Sequence, residues 1–228
     1  MIFIVLTALL LIASLFPQFW VRHVMRKYHK ELPGLPGTGG ELAQHLINRF
    51  ELTTTKLEET TEGGDHYDPT TDTVRLSPSN FNRKSLTAVA VASHEVGHAI
   101  QFLRKEPISQ LRGKYIPLSI MLRKTGTYLL LALPVVTILL KAPVAIGLFI
   151  GLSLLMQLAG VLMYLVVLPE EWDASFNKAL PILIEGNYLP DHQLGPIQTV
   201  LKAAALTYFA SALADILNIG RWLMVLRR

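Results

Sequence analysis

The sequence predicts a mostly α-helical fold, in which integral membrane helices carry a small α+β domain, and three observations predict it. Of 228 residues, 51% are hydrophobic and only 17% charged, with a mean hydropathy of +0.39, so little polar surface is left for an ordinary soluble domain. Two stretches, Ile2–Trp20 and Tyr128–Leu168, are apolar on the scale of a bilayer crossing. Between them, Glu31–Lys124 holds nearly all the segments of soluble character, with helical and strand-like spacings side by side.

Ile2–Trp20 carries no charge and is followed by Arg22, His23, Arg26, Lys27 and Lys30. A cleaved signal places its charge before the apolar run and ends on small residues, whereas Phe16-Pro17-Gln18-Phe19-Trp20 closes this one. Residues 1–21 are therefore expected to be a retained N-terminal anchor, and the basic flank assigns residues 22–124 to the cytoplasm.

Within that part, Pro33 to Gly40 reads as a loop and Glu41–Phe50 has helical spacing in Leu42, Leu46 and Ile47. Gly64–Ser77 reads as a hairpin around Asp68-Pro69-Thr70-Thr71-Asp72. Its second strand, Thr73, Val74, Arg75 and Leu76, alternates as an edge strand does, and an edge strand can pair with an extended substrate backbone. Ser85 can cap a helix that starts at Leu86 and runs without a breaker to about Arg104.

Tyr128–Leu168 contains one charge, at Lys141-Ala142-Pro143. As a single helix it would reach roughly 60 Å, twice a bilayer core of about 30 Å, so a transmembrane hairpin over 125–168 is expected. Arg123 and Lys124 put both its ends on the cytoplasmic side. Residues 169–198 then form a second cytoplasmic segment. Residues 199–228, where Lys202, Asp215 and Arg221 interrupt an apolar run, are expected to be a C-terminal helix that lies on the membrane or spans it.

The net charge of +4 and pI near 9.3 suit an anionic lipid surface, and no aromatic-basic pattern points to nucleic acid. The absence of cysteine excludes disulfides and thiolate metal sites, so a transition metal must be held by His, Asp or Glu.

His94-Glu95-Val96-Gly97-His98 lies inside the helix that Ser85 caps. Histidines four apart on a helix present both rings to one zinc ion, and Glu95, about 100° around from His94, can act on a water instead of filling the metal's coordination shell. Gly97 costs a helix about 1 kcal/mol relative to Ala, which makes sense where another backbone must come close. A third histidine in the extended motif is absent, since Gln101 and Arg104 stand at its glycine and histidine positions. The third ligand must come from His66, His192 or the cluster Glu170-Glu171-Trp172-Asp173, and a hairpin returns that cluster to the face of the His94 helix. His23, His29 and His45 have no ligand spacing.

Together, His94–Gln101, Gly64–Pro69 with Val74–Ser77, Glu171–Ser175 and Leu201–Tyr208 resemble the YugP-type neutral zinc metallopeptidases of bacteria, over nearly the whole chain. The order of segments also resembles the HtpX-type membrane proteases, whose glutamate ligand sits in a Glu-aromatic-x-Ala pattern matched here by Glu171, Trp172 and Ala174. The resemblance implies a zincin-like domain in which His94, His98 and Glu171 hold one zinc ion per chain and Glu95 activates water. It also suggests Tyr208 or Lys202 as oxyanion stabilisers. Pro181 falls within the helix that should continue from Glu171 and is expected to kink or end it.

The activity implied is that of a zinc endopeptidase in the bacterial inner membrane, with its site at the cytoplasmic face. Peptides or membrane proteins would be its substrates and the bilayer its partner. An intramembrane protease of the site-2 type is the rival, against which Arg83-Lys84 and Arg104-Lys105 bracket the motif helix with charge. A non-catalytic zinc-binding scaffold is the other, and it would have no need of Glu95.

Overall fold

The computed structural model describes residues 2–213, which are mostly helical with one small three-stranded sheet. The chain divides into two compact units. One, the site unit, comprises Phe19–Gln110 and Pro169–Thr207; the other, the hairpin unit, comprises Leu111–Leu168 with the described residues 2–18 and 208–213.

Helix α1 (Ile2–Lys27) contributes to both units and contains Pro17 without being interrupted. In the site unit, α2 (Gly39–Arg49) starts from a capping box: Thr38 Oγ1 accepts from the Glu41 N–H at 3.2 Å, and Glu41 returns a carboxylate to the Thr38 N–H at 2.7 Å. Its apolar face buries Ala43, Leu46 and Ile47.

The sheet runs in the order β1 (Lys56–Glu59), β3 (Thr73–Leu76), β2 (His66–Asp68). Strands β2 and β3 form the expected antiparallel hairpin, with Tyr67 opposite Val74. Asp68 organises its turn by accepting from the Thr70 N–H and hydroxyl, the Thr71 hydroxyl and the Arg75 guanidinium. These bonds, that to Thr70 first, hold its carboxyl well below the usual carboxylate range.

The edge-strand expectation for Thr73, Val74, Arg75 and Leu76 does not hold. β1 pairs parallel to β3 along its whole length, Lys56 opposite Thr73 through Glu59 opposite Leu76, so β3 is central and its backbone groups are consumed on both sides. No substrate can pair there.

After the short α3 (Pro78–Phe81), α4 (Leu86–Leu103) begins where the Ser85 hydroxyl accepts from the Ala88 N–H at 3.1 Å. Every residue of α4 from Leu86 to Gln101 is buried. One side carries Val91, Val96 and Ile100 against Val74 and Leu76 of β3 and Leu46 of α2. Burying the remaining polar face of such a helix requires polar partners.

In the hairpin unit, α5 (Leu111–Leu140) and α6 (Pro143–Trp172) turn at Lys141-Ala142, where Lys141 adopts φ 48°. The helix begins well before residue 125, because hydropathy marks the apolar part of a helix and not its polar first turns. The antiparallel pairing rests on small residues. Ser119 Oγ donates to Gly160 O at 2.7 Å, a Cβ at Gly126 would meet Ser153 O at 2.8 Å, and Gln157 donates to the Thr127 hydroxyl at 2.9 Å. Large apolar side chains such as Ile138, Leu139, Val144 and Leu148 point outward. Two helical stretches, Pro107–Leu139 and Pro143–Glu185, are long and apolar enough to cross a membrane.

Beyond α6 the chain continues as a π-helical segment, Asp173–Ala179, and then α7 (Leu180–Glu185). Pro181 neither ends nor breaks the helix. It is the second residue of α7 and follows directly on the π-helical segment. Helix α8 (Leu194–Ala205) buries Ile197, Val200, Leu201 and Ala203–Ala205 in the site unit. The start of the expected C-terminal membrane helix thus belongs to a packed core, and residues 214–228 of that stretch lie outside the described residues.

Candidate metal centre

His94 and His98 stand one turn apart on α4, their rings edge-to-face with centroids 4.6 Å apart and both side chains buried. Glu171, near the end of α6 and 2% exposed, reaches between them. Its Oε2 lies 3.2 Å from His94 Nε2 and 3.3 Å from His98 Nε2, and the two nitrogens are 3.2 Å from each other. The three donor atoms form a nearly equilateral triangle. Zinc bonds of about 2.0–2.1 Å at tetrahedral angles require ligand atoms about 3.3 Å apart, so one ion would fit at bonding distance from all three. Among the described residues these three form the group able to hold a metal ion.

The neighbouring Glu170 is also buried, but its Oε1 approaches the other nitrogen of His98, Nδ1, at 3.9 Å. Successive helical residues point about 100° apart, and that rotation separates the two carboxylates.

Glu95 is buried beside β2, where its Oε2 accepts the Tyr67 N–H at 2.8 Å. The bond spans from the sheet to the motif helix and fixes one carboxylate oxygen. Nearby, Asp65 accepts from the Ser77 N–H and hydroxyl and from the Asn80 amide. Burial pushes its carboxyl up, the charge of Glu95 adds to that, and these bonds oppose it.

The π-helical segment explains Gly97. A Cβ there would come within 2.8 Å of Ala174 O and 3.3 Å of Lys178 Cβ, so the second backbone expected beside the motif is this one. The next residue, Ser175, places its Oγ 2.9 Å from His94 Nδ1, while Gln101 Oε1 lies 2.9 Å from His98 Nδ1. Neither had a role in the sequence reading. The signal was their spacing, since Gln101 lies three residues after His98 and Ser175 four after Glu171, so each shares a helix face with a ligand.

A family model described as "Putative neutral zinc metallopeptidase" matches residues 2–227. Among curated proteins, the chain is 33% identical over 228 residues to the "Putative membrane protease YugP" of Bacillus subtilis (strain 168), covering 99% of this chain and 96% of that one. This chain belongs to the neutral zinc metallopeptidase family. No solved structure matches it.

Family membership makes zinc the metal to test against the triangle, and the donor set of two imidazoles and one carboxylate fits it. His66 Nδ1 is bonded to Gly64 O at 2.7 Å and His192 is exposed, and neither joins the metal-holding group. Lys202 is exposed on α8, and Tyr208 stacks on Tyr164 within the hairpin unit.

Proposed function

We propose that this protein is a membrane-embedded zinc endopeptidase that hydrolyses peptide bonds at the cytoplasmic face of the bacterial inner membrane. The observation that carries the reading is the buried triangle of His94 Nε2, His98 Nε2 and Glu171 Oε2, with an intact Glu95 one residue from the first ligand. Bound zinc supplies Lewis acidity, which polarises the substrate carbonyl and acidifies a water molecule.

The chain's own residues do the rest. The Tyr67 N–H holds Glu95 Oε2, which leaves Oε1 as the atom that takes a proton from the attacking water. Attack on the carbonyl carbon breaks its π bond, and Glu95 then passes the proton to the leaving amine as the C–N bond breaks. Tyr208 or Lys202 is a proposed donor to the developing oxyanion, on the resemblance of the Leu201–Tyr208 segment alone. The zincin-like character of the site unit, its three-stranded sheet beside the motif helix, is part of the same proposal.

Two apolar helices and the relative's description as a membrane protease support the membrane assignment, and the basic residues flanking the spans support a cytoplasmic site. The intramembrane alternative is disfavoured because α4 is buried among α2, the sheet, α8 and the π-helical segment. The test is hydrolysis of a protein substrate by the purified, zinc-loaded chain, against Glu95→Gln. Equal activity in the two would refute the role of Glu95.

A further inference from the structure

The polar face of α4 does more than present two histidines, because the hydrogen bonds behind them make Nδ1 of each ring a donor. Ser175 has a single hydroxyl proton, and its Oγ lies 3.1 Å from Leu201 O, a carbonyl that can only accept. The proton is committed there, so Ser175 Oγ must accept from His94, whose Nδ1 then carries the hydrogen. The same reasoning applies to His98. The Gln101 amide nitrogen donates to Glu170 O at 3.1 Å and to Asp173 Oδ2 at 2.8 Å, two acceptors that fix the orientation of the amide. Its Oε1 therefore faces His98 Nδ1, which must donate.

We propose that Ser175 and Gln101 are positioning residues that accept the Nδ1–H of His94 and of His98 and so keep both Nε2 atoms turned toward the metal position. The proposal rests on the metal-site reading above and names what prepares that site. Resident partners of this kind set ring orientation and ligand basicity, and their loss typically costs 10- to 100-fold in metal affinity.

Both devices are neutral groups anchored from outside the motif. Ser175 is tied to α8 through Leu201 O, and Gln101 is tied through Asp173 to Lys178, which also pairs with Glu106 in the segment after α4 at 3.1 Å. Asp173 thus sits between a cation and the amide it orients. Its removal leaves Gln101 with the Glu170 carbonyl alone and should have a milder effect than removal of Gln101.

The experiment uses the full chain in detergent micelles, with zinc affinity measured by competition against a chromophoric chelator and the Co2+-substituted site read by its visible absorption. Ser175→Ala and Gln101→Leu should each weaken zinc binding 10- to 100-fold and alter the Co2+ spectrum, while thermal unfolding of the metal-free protein changes little. Ser175→Thr, which keeps the hydroxyl, should restore affinity, and Asp173→Ala should give a loss smaller than that of Gln101→Leu. Parental affinity and an unchanged Co2+ spectrum in both Ser175→Ala and Gln101→Leu would overturn the proposal. So would losses of affinity that merely track destabilisation of the metal-free protein, with no rescue by Thr. Failure of the underlying metal site looks different: the parent itself would bind no better than His94→Ala.

Discussion

Gly97→Ala tests how closely the motif helix and the segment after Glu171 are fitted. An alanine there would gain about 1 kcal/mol of helix propensity in an isolated helix. In the folded chain its Cβ would stand 2.8 Å from Ala174 O, nearer than real Cβ contacts come, and the opposing group is backbone that cannot rotate away. Overpacking of this kind costs about 1–3 kcal/mol, so the net effect on the metal-free fold is a loss of about 0–2 kcal/mol. The effect on the metal should be larger than that figure suggests. Relief requires the π-helical segment to retreat by several tenths of an ångström, and Ser175, the next residue, would then lengthen its 2.9 Å contact with His94 Nδ1 towards the limit of a hydrogen bond. Zinc affinity should fall about 10-fold. Thermal melts of the metal-free chain and chelator competition read the two effects separately. A Gly97→Ala chain that is more stable than its parent by about 1 kcal/mol, with parental zinc affinity, would show that the close approach is not a constraint and that helix propensity decides.

Other expectations are as direct. Glu95→Gln should keep the zinc content of the parent and lose about 10²- to 10⁴-fold in kcat, because an amide can still accept from the Tyr67 N–H but cannot take a proton; retained kcat would remove Glu95 as the base. Glu171→Gln should lose zinc on dialysis against a weak chelator, whereas Glu170→Gln, His66→Ala and His192→Ala should retain it. Zinc loss in one of those three together with retention in Glu171→Gln would reverse the ligand assignment. For topology, single cysteines are informative because the native chain has none. A cysteine at the exposed Lys141 should react with an impermeant reagent from outside the cell, and cysteines at the exposed Lys105 and Asn177 only after lysis, so external labelling at 177 would contradict the cytoplasmic assignment.

The parts of the fold legible in the sequence are those set by local chemistry. The spacing of Leu42, Leu46 and Ile47 announces α2, Ser85 announces α4, and Lys141-Ala142-Pro143 interrupts the apolar run where the two long helices turn. The pairing of β1 with β3 was not legible. Lys56-Leu57-Glu58-Glu59 has a single apolar residue, and a parallel partner is joined by a crossover instead of a tight turn, so neither alternation nor turn chemistry marks it. That omission made β3 look like an edge. The π-helical segment was invisible for a related reason: Asp-Ala-Ser-Phe-Asn-Lys-Ala carries no breaker, and what distinguishes it is its close packing on α4 at Gly97.

The hairpin between the ligands also bears on how the site can form at all. His98 and Glu171 are 73 residues apart, and closing a loop of that length from flexible chain costs about 4 kcal/mol, much of the stability of an ordinary domain. A paired hairpin removes most of that cost. Leu111–Leu168 doubles back at Lys141-Ala142, and the contacts Ser119 to Gly160 and Gly126 to Ser153 pair α5 antiparallel to α6, so the two ends of the insert begin close together. Glu171 lies three residues beyond Leu168 and still on α6, so little chain separates it from the closed end of the insert.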